Sequence, residues 1–344
     1  VWQVEDGVTS VAWNPRRELC MFAVAVGRRV YLMTPPERTV CHEQTLAVTR
    51  EILAHGGNLP DIVSKEDEEE MEESSDEDED EDEAKDEEDD KPKPAKGTSK
   101  KRRFVHWLST GTTQLRDQKY VIVQHTRPVR QVVWHHKGDY FSTVCTIERG
   151  NLQAGSAVLI HSVTKFRTQR PIRRTKGGPA QQVQFHPTQP WFIVATQRLV
   201  HIYDLLEHQL VKSLATNAQW ISSVDVHSQG DNILVGSFER RLQWFDLDLG
   251  SKPYKNIRFH QKGIRQVRYH PRFPLFASAS DDCTLQVFHG RVYQDLLQNP
   301  LIVPVKILRG HTPREALGVL DCVFHPTQPW LFSCGADGTA RLWS

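Results

Sequence analysis

The sequence predicts an all-β fold, a β-propeller built from four-stranded blades, and three observations predict it. First, the heptapeptide Phe-His-Pro-Thr-Gln-Pro-Trp at 185–191 recurs word for word at 324–330. Second, one strand-like pattern of apolar residues occurs six times along the chain. Third, from Trp134 onward these copies follow one another every 41 to 55 residues. Short strands repeating at this period are typical of propeller blades.

The first strand of each repeat follows one template: apolar, two spacers, apolar, one spacer, apolar. The six copies are Val8/Val11/Trp13, Val129/Val132/Trp134, Ala180/Val183/Phe185, Ile221/Val224/Val226, Ile264/Val267/Tyr269 and Val319/Cys322/Phe324. The last two apolar positions alternate with a spacer, as a half-buried strand requires. Each copy is followed by a turn signal: Asn14-Pro15, Lys137-Gly138, His186-Pro187, Gln229-Gly230, His270-Pro271 and His325-Pro326.

Further strands of each repeat follow at nearly constant spacing. Third strands are predicted at 30–33, 158–161, 200–204, 242–246, 285–288 and 340–343, and the longer loop 147–155 explains the one enlarged spacing. Outermost strands are predicted near 120–124 and 302–308. The segment Val1-Trp2-Gln3-Val4 resembles the tail of an earlier repeat. We therefore expect seven blades in the parent protein, with the first repeat mostly missing here and the last blade's outermost strand supplied from the N-terminal side.

The last repeat carries a polar set that resembles the WD-repeat pattern. Its members are His311, Ser333, Asp337 and Trp343. An aspartate in a tight turn can bond an imidazole, which can bond a strand hydroxyl, which can accept from an indole N–H. Such a chain satisfies polar groups inside a thin sheet. We interpret the four residues as structural, not catalytic, because no nucleophile is placed beside them.

The charge of the chain is divided unevenly. The sequence has 43 basic and 43 acidic residues, but the segment 66–103 alone holds 20 acidic and 8 basic ones. The remaining 306 residues therefore carry a net charge of +12. The predicted organisation is a WD-repeat β-propeller at 1–55 and 104–344, interrupted by an acidic and basic insert at 56–103. A composition so poor in apolar residues predicts disorder for the insert.

The insert contains two candidate modification sites. Ser74 and Ser75 each have an acidic residue three positions later, which resembles the acceptor sites of acid-directed kinases. The alternative is that the insert is only a solvated spacer. Acidic blocks of this kind compete for basic partners.

The main basic cluster is the candidate RNA-binding site. It comprises Lys165, Arg167, Arg170, Arg173, Arg174 and Lys176. Cations at this density would neutralise several phosphates, and Arg suits bidentate phosphate contact. The alternative is an exposed, solvated strand without a partner. Both the insert and this cluster follow a predicted third strand, so we expect the opposite charges to lie on one face, one blade apart, with Glu66–Asp90 competing with RNA.

Other classes of function have little support. The six cysteines lack metal-ligand spacing, so we expect reduced thiols and no metal or other cofactor. No apolar run approaches the ~20 residues of a membrane-spanning helix, which predicts no membrane contact. The blades offer no acidic cluster for a propeller hydrolase, and we expect no enzymatic activity.

Three longer segments resemble the propeller of one family. They are 236–254, 270–278 and 292–301, with the sequences GSFERRLQWFDLDLGSKPY, HPRFPLFAS and VYQDLLQNPL. They are similar to the C-terminal WD-repeat propeller of the eukaryotic ribosome biogenesis protein one family, also called block-of-proliferation protein one. The resemblance covers most of the chain and is weakest over 34–120.

The resemblance implies a function and partners. Members of the family are scaffolds of the nucleolus and nucleoplasm in large ribosomal subunit assembly and pre-rRNA processing. They act with a second WD-repeat protein that bears a ubiquitin-like domain, which docks on the propeller, and with a pescadillo-type protein held by the family's absent N-terminal region. Contact with pre-rRNA in the pre-large-subunit particle is also implied. The alternative is a generic WD-repeat adaptor, such as a substrate receptor or peptide reader.

Overall fold

The computed structural model describes residues 7–16, 20–33, 105–109, 121–146, 157–172, 175–291 and 300–344. These residues form antiparallel β-sheets and no helix. The chain divides into two compact units, residues 1–154 with 160–169 and residues 155–159 with 170–344.

Strands β1 to β9 form two sheets. Their bounds are β1 (Val8–Trp13), β2 (Phe22–Val26), β3 (Arg29–Met33), β4 (Val105–Ser109), β5 (Val121–His125), β6 (Val129–Trp134), β7 (Tyr140–Cys145), β8 (Val158–Ser162) and β9 (Arg167–Gln169). The strand orders are β1-β2-β3-β5-β4 and β6-β7-β8-β9.

The remaining strands form four sheets. Their bounds are β10 (Ala180–Phe185), β11 (Trp191–Thr196), β12 (Leu199–Asp204), β13 (Gln209–Ala215), β14 (Ile221–Val226), β15 (Asn232–Ser237), β16 (Leu242–Asp246), β17 (Lys255–Ile257), β18 (Ile264–Tyr269), β19 (Leu275–Ser280), β20 (Thr284–Arg291), β21 (Leu301–Arg309), β22 (Val319–Phe324), β23 (Leu331–Gly335) and β24 (Ala340–Trp343). Each sheet keeps its strands in chain order: β10 to β13, β14 to β17, β18 to β21, and β22 to β24.

The predicted fold class is confirmed: the chain is all-β, of the WD-repeat β-propeller class. All six predicted first strands begin and end at the apolar residues of the template. The third strands are found where the sequence predicted them. Strands are also found at both predicted outermost positions, but only β21 is outermost in its sheet, because β5 lies between β3 and β4. The regular pairing of each first strand with the next strand, antiparallel and around one short turn, explains why the template repeats so faithfully.

Strand β4 is an element that the sequence did not predict. It pairs antiparallel with β5, with Val105 facing His125 and Ser109 facing Val121. Strand β3 pairs with the other side of β5, with Leu32 also facing Val121. Strand β3 therefore ends at one end of this sheet, whereas β4 begins at the opposite end. The chain therefore does not run directly from the insert to the strand predicted near 120–124, because β4 comes between the insert and β5.

Neighbouring first strands are joined by side chains instead of a backbone ladder. The third template position accepts a hydrogen bond from a backbone N–H of the next first strand. In the first unit Ser10 Oγ accepts from Val132 at 3.1 Å. In the second unit Gln182 Oε1 accepts from Val224 at 2.8 Å, and Ser223 Oγ accepts from Val267 at 3.2 Å. These bonds satisfy buried donors that strand pairing leaves over.

Apolar side chains fill the spaces between successive sheets of the second unit. One cluster contains Leu234, Trp244, Ile264, Phe276 and Phe288, all nearly inaccessible to solvent. Burying a side chain of this size stabilises the fold by about 1.5–3 kcal/mol. Packing between sheets, and not within one sheet, therefore holds the unit together.

The sheet β22 to β24 differs from the others in the described residues. It has three strands, and one of its faces is exposed. Val323, Phe332 and Leu342 face one another across the three strands on that side and are 55%, 40% and 55% exposed. An outermost strand from the N-terminal side, and seven blades in the parent protein, remain predictions, since residues 1–6 lie outside the described ranges.

Candidate functional site

The polar set of the last repeat forms one hydrogen-bonded chain. The Trp343 indole N–H donates to Ser333 Oγ at 2.8 Å, and the Ser333 hydroxyl lies 2.8 Å from His311 Nε2. On the other side of the ring, Nδ1 lies 3.1 Å from an Asp337 carboxylate oxygen. With the hydroxyl donating to Nε2 and Nδ1–H donating to the carboxylate, every member has a partner. The four side chains thus satisfy one another inside the blade.

The preceding repeat contains the same chain without the indole. His260 Nδ1 lies 2.9 Å from Asp282 Oδ2, and His260 Nε2 lies 2.8 Å from Ser278 Oγ. Burial alone would raise the pKa of Asp282, but hydrogen bonds from His260, Thr284 and a backbone N–H lower it well below its usual range. The pKa of Asp337 is likewise lowered by its hydrogen-bond donors. Both carboxylates are therefore held ionised as acceptors, which suits a structural role.

In two other sheets, a different polar side chain on the third strand is the centre of a similar hydrogen-bonded chain. His201 Nε2–H donates to the Lys176 carbonyl at 2.8 Å, and its Nδ1 lies 3.1 Å from Ser213 Oγ. In the next sheet the Gln243 amide donates to the Thr216 carbonyl at 2.9 Å and to Asn256 Oδ1 at 2.7 Å. A polar residue on the third strand thus connects a loop to the outermost strand in each case.

The sheet β6 to β9 contains a similar polar chain, and the tryptophan of that chain lies on β4. Trp107 Nε1–H donates to Thr168 Oγ1 at 3.0 Å, and that hydroxyl lies 2.9 Å from His161 Nδ1. His161 Nε2 lies 2.9 Å from Thr143 Oγ1. The order indole, hydroxyl, imidazole, hydroxyl resembles that of the last repeat. Burial lowers the pKa of His161 well below its ordinary value, so the ring is neutral within this chain.

Sequence reasoning missed the function of the turn residue that follows each first strand. His186 Nε2–H donates to the Gly230 carbonyl of the next turn at 2.9 Å, while its Nδ1 accepts from the Gln189 N–H at 2.9 Å. His270 donates in the same way to the Gln328 carbonyl at 2.9 Å. Asn14 replaces histidine in the turn after β1. A histidine or asparagine recurs directly after the template, and this recurrence was the signal that could have revealed the contact between sheets.

Asn14 makes both bonds of a turn histidine with an amide. Its Nδ2 donates to the Gly138 carbonyl at 3.0 Å, and its Oδ1 accepts from the Arg16 N–H at 2.9 Å. Gly138 and Gly230 both have positive φ, and a Cβ added to either would lie 2.3 Å from the Asn14 or His186 side chain. Glycine is therefore required at these two receiving positions.

The predicted RNA-binding residues are distributed over several elements. Lys165 lies in the turn between β8 and β9, and Arg167 is the first residue of β9; both are exposed. Arg170 follows β9 and belongs to the second unit, as does the exposed Lys176. Arg173 and Arg174 lie outside the described residues. The loop from the third to the outermost strand therefore contains Lys165 but not the whole cluster, contrary to the expectation from the sequence.

The remaining candidate residues lie in the insert. Ser74, Ser75 and the whole predicted insert 56–103 lie outside the described residues. The prediction of disorder and of phosphorylation therefore stays a prediction. The described neighbours of the insert are β3 on one side and β4 on the other.

Four of the described cysteines are free thiols, and two of these four are buried. The four free thiols are Cys145, Cys283, Cys322 and Cys334. Burial raises the pKa of Cys145 to about 12 and also raises that of Cys322, so neither thiol ionises near neutral pH. Cys20 is disulfide-bonded, and the expectation of a reduced thiol is wrong there.

No group of three or more His, Cys, Asp or Glu side chains is arranged to hold a metal ion in the described ranges. None of their segments is a helix long and apolar enough to cross a membrane.

The fold and its repeat pattern define a WD-repeat protein. The family model described as WD domain, G-beta repeat matches residues 251–289 and 302–344. Beyond the class, the chain is 42% identical over 344 residues to Ribosome biogenesis protein bop1 of Danio rerio, covering 99% of the chain and 38% of that protein. It is 41% identical over 337 residues to Ribosome biogenesis protein BOP1 of Homo sapiens, covering 98% of the chain and 39% of the relative.

A fungal relative shows higher identity over a shorter stretch. Ribosome biogenesis protein ERB1 of Malassezia globosa is 57% identical over 220 residues, or 62% of the chain and 25% of that protein. The predicted resemblance to the family of ribosome biogenesis protein one and block-of-proliferation protein one is thus confirmed. The chain spans about two fifths or less of the length of these curated relatives.

Proposed function

We propose that the chain is the WD-repeat module of a non-enzymatic scaffold in large ribosomal subunit assembly and pre-rRNA processing. The observation that carries the proposal is the similarity, at 41–42% identity over 98–99% of the chain, to proteins named for ribosome biogenesis. The proposal includes action in the nucleolus and nucleoplasm, in a complex with a pescadillo-type protein and the pre-large-subunit particle.

The proposed direct partner is a second WD-repeat protein that bears a ubiquitin-like domain. A set of sheets packed through large buried side chains presents its loops on a rigid base, which lowers the entropy lost on docking. Arg and aromatic side chains are expected to dominate such an interface.

The proposed nucleic-acid partner is pre-rRNA. The exposed side chains of Lys165, Arg167 and Lys176 are suited to phosphate contact. The rest of the predicted cluster supports the same proposal through its sequence. Phosphate contacts of this kind position RNA without reading its sequence.

The proposed function is not catalytic. Its support is that the histidines and aspartates which resemble catalytic pairs are engaged in hydrogen-bonded chains within blades. Asp337, for example, accepts from His311, Thr312 and Thr339. The purified chain should show no turnover of nucleotide, phosphoester or peptide substrates, and activity abolished by one loop substitution would overturn this part.

The decisive experiment measures partner binding and pre-rRNA processing together. Calorimetric titration of the folded chain with the partner propeller should show saturable binding. Cells whose own family member is replaced by one with this propeller deleted should accumulate large-subunit precursor rRNA, whereas the intact protein should restore processing. Normal processing without the propeller, or no binding by a folded chain, would contradict the proposal.

A generic WD-repeat adaptor, acting as a substrate receptor or peptide reader, is the second candidate. It predicts ubiquitin-ligase or modified-peptide partners and no effect on rRNA. The same replacement experiment distinguishes the two, because an adaptor variant would leave the precursor rRNA unchanged.

A further inference from the structure

An exposed aromatic surface lies where two turns of the second unit meet. Trp220 directly precedes β14, and Phe238 directly follows β15. Ile221 faces Ser237 in this antiparallel pair, so both aromatic residues lie at the same end of the sheet. The Phe238 N–H donates to the Trp220 carbonyl at 3.2 Å. Trp220 is 43% exposed and Phe238 is 36% exposed.

The neighbouring sheet fixes the position of Phe238. A Cβ added to Gly263 would lie 3.0 Å from the Phe238 carbonyl oxygen, so the turn before β18 packs directly against this residue. The Arg265 guanidinium lies over the Phe238 ring, 5.1 Å from its centroid. Asp281 holds that guanidinium through Nε at 2.9 Å. The ring is thus pre-organised, with a cation stacked against it.

Basic residues lie in the same turns as the two aromatic residues or in the adjacent turn. The turn after β15 contributes Arg240 and Arg241, and the next turn contributes Lys262. No carboxylate among the described residues lies within 4.0 Å of the Arg240 or Lys262 charge. We call Trp220, Phe238, Arg240, Arg241, Lys262 and Arg265 the aromatic–cation surface.

The acidic residues of this region are already engaged. Glu239 Oε1 accepts from the backbone N–H groups of Gln219 at 2.6 Å and Trp220 at 3.0 Å. Asp281 accepts from Arg265 and from the Gly318 N–H at 3.2 Å. Asp282 accepts from the Gln261 N–H at 2.9 Å, beside Lys262. Four cations therefore stand against three carboxylates, all of which are engaged in hydrogen bonds. The surface is left with an excess of positive charge.

We propose that the aromatic–cation surface binds single-stranded RNA. Exposed rings offer stacking surfaces to unpaired bases, and nearby cations hold the backbone phosphates. A duplex conceals its base faces, so it could use only the cations. An acidic peptide would also be attracted by the cations but would have less use for two exposed rings. The combination therefore favours unpaired RNA over either alternative.

The proposal deepens the proposed pre-rRNA contact and rests on it for its biological role. It assigns base stacking to a surface that shares no residue with the cluster at Lys165–Lys176. The Lys165–Lys176 cluster would position phosphates, whereas the aromatic–cation surface would select unpaired segments.

The test is fluorescence anisotropy with a labelled 12-nucleotide oligouridine and the full chain. Trp220→Ala and Phe238→Ala should each weaken binding by about tenfold, within the range measured for single stacked bases, and leave the salt dependence unchanged. Lys262→Glu should reduce the slope of log affinity against log salt by about 0.7. Phe273→Ala and Arg272→Glu are matched controls, since both residues are exposed in a turn at the other end of β18 and should leave affinity unchanged.

Ultraviolet cross-linking of the unmodified chain provides a second measurement that does not depend on the folding of variants. Uridine adducts should map to peptides containing Trp220 or Phe238. Adducts confined to the Lys165–Lys176 cluster, or equal binding of a 12-bp duplex, would overturn this proposal and leave the proposed rRNA contact standing. Capture of a 12-residue polyglutamate peptide in preference to oligouridine would also overturn it. Absence of all RNA binding would overturn both this proposal and the proposed pre-rRNA contact. Partner docking is tested separately, by calorimetry.

Discussion

Trp107 and Thr168 are joined by a hydrogen bond of 3.0 Å from the indole N–H to the hydroxyl oxygen. This bond fastens β4 to the outermost strand of another sheet in the same unit. The Trp107 ring also lies edge-on to Phe166, with centroids 5.4 Å apart. The strand that follows the acidic insert is therefore anchored through a side chain as well as through its pairing with β5.

Trp107→Phe should destabilise the protein because it leaves the Thr168 and His161 chain without its indole donor. The expected loss is about 0.5–1.5 kcal/mol, the usual net value of one hydrogen bond. Urea denaturation of the single variants Trp107→Phe and Thr168→Val and of the double variant measures the coupling. Losses that simply add would contradict the bond.

Ser333→Ala should cost more stability than Ser278→Ala. Ser333 Oγ contacts both His311 and Trp343, whereas Ser278 Oγ contacts His260. Each buried group left without a partner costs about 1–3 kcal/mol. Chemical denaturation midpoints of the two variants give the comparison, and an equal or smaller loss for Ser333→Ala would show that the indole bond contributes nothing.

Acid should destabilise the fold as the pH falls below about 6.5, the ordinary value for histidine. Burial lowers the pKa of His125 to about 3, and burial with nearby positive charges lowers that of His135 to about 4. The unfolded chain therefore binds more protons than the folded one between these values and 6.5, and stability is lost as the pH falls. The slope from His125 approaches about 1.4 kcal/mol per pH unit.

Denaturation midpoints measured from pH 7.5 to pH 4.5 check this expectation. His125→Asn should reduce the pH dependence, even if it lowers stability at pH 7.5. His208→Asn is the matched control, because His208 is exposed and asparagine tolerates its positive φ of 55°. A fold equally stable at pH 7.5 and 4.5 would contradict the assignment.

Gly230→Ala should destabilise the protein by at least about 1 kcal/mol. The residue has a φ of +96°, and an added Cβ would lie 2.3 Å from His186 Cε1. Gly7→Ala is the control, since nothing lies within 4 Å of its added Cβ. Thermal unfolding of the two variants separates them, and a neutral Gly230→Ala would mean that the turn tolerates displacement of the imidazole.

Deletion of residues 66–90 should raise RNA affinity, most strongly at low salt. Our hypothesis is that this acidic tract competes with RNA for Arg167, Arg170, Arg173 and Arg174, and that phosphate on Ser74 or Ser75 strengthens the competition. Changing the four arginines to Glu should lower affinity. Anisotropy titrations at several salt concentrations provide the measurement. If the deletion leaves affinity and salt slope unchanged, the tract is a spacer only.

The sequence predicted the strands because each first strand places its apolar residues at fixed intervals between turn signals. It did not predict β4, because Val-His-Trp-Leu-Ser follows a basic run and belongs to no repeat. The contact between His311 and Asp337 was predicted because both residues match the WD-repeat pattern. The contact of His186 with Gly230, 44 residues away, depends on how successive sheets pack, which spacing alone does not reveal.

Trp220 and Phe238 were missed for a related reason. Aromatic residues beside strands are usually buried, and only the structure shows that these two are exposed at the same end of one sheet. The excess of positive charge around the two rings was missed as well, because it depends on which carboxylates already accept hydrogen bonds. The basic cluster at Lys165–Lys176 was visible in the sequence because its six cations lie within twelve residues, but its distribution over a turn, a strand and a following loop was not.

The contacts of His186 and His270 with the turn that follows have a consequence for synthesis on the ribosome. His186 finds its acceptor only when Gly230 has been made, and His270 only when Gln328 has been made. The chain emerges at about 5–20 residues per second, so each sheet waits several seconds for the turn that completes it. Successive sheets therefore complete these contacts in the order in which they are translated. A pause between repeats would leave one imidazole without its acceptor, and the sheet face beneath it would be accessible to chaperones.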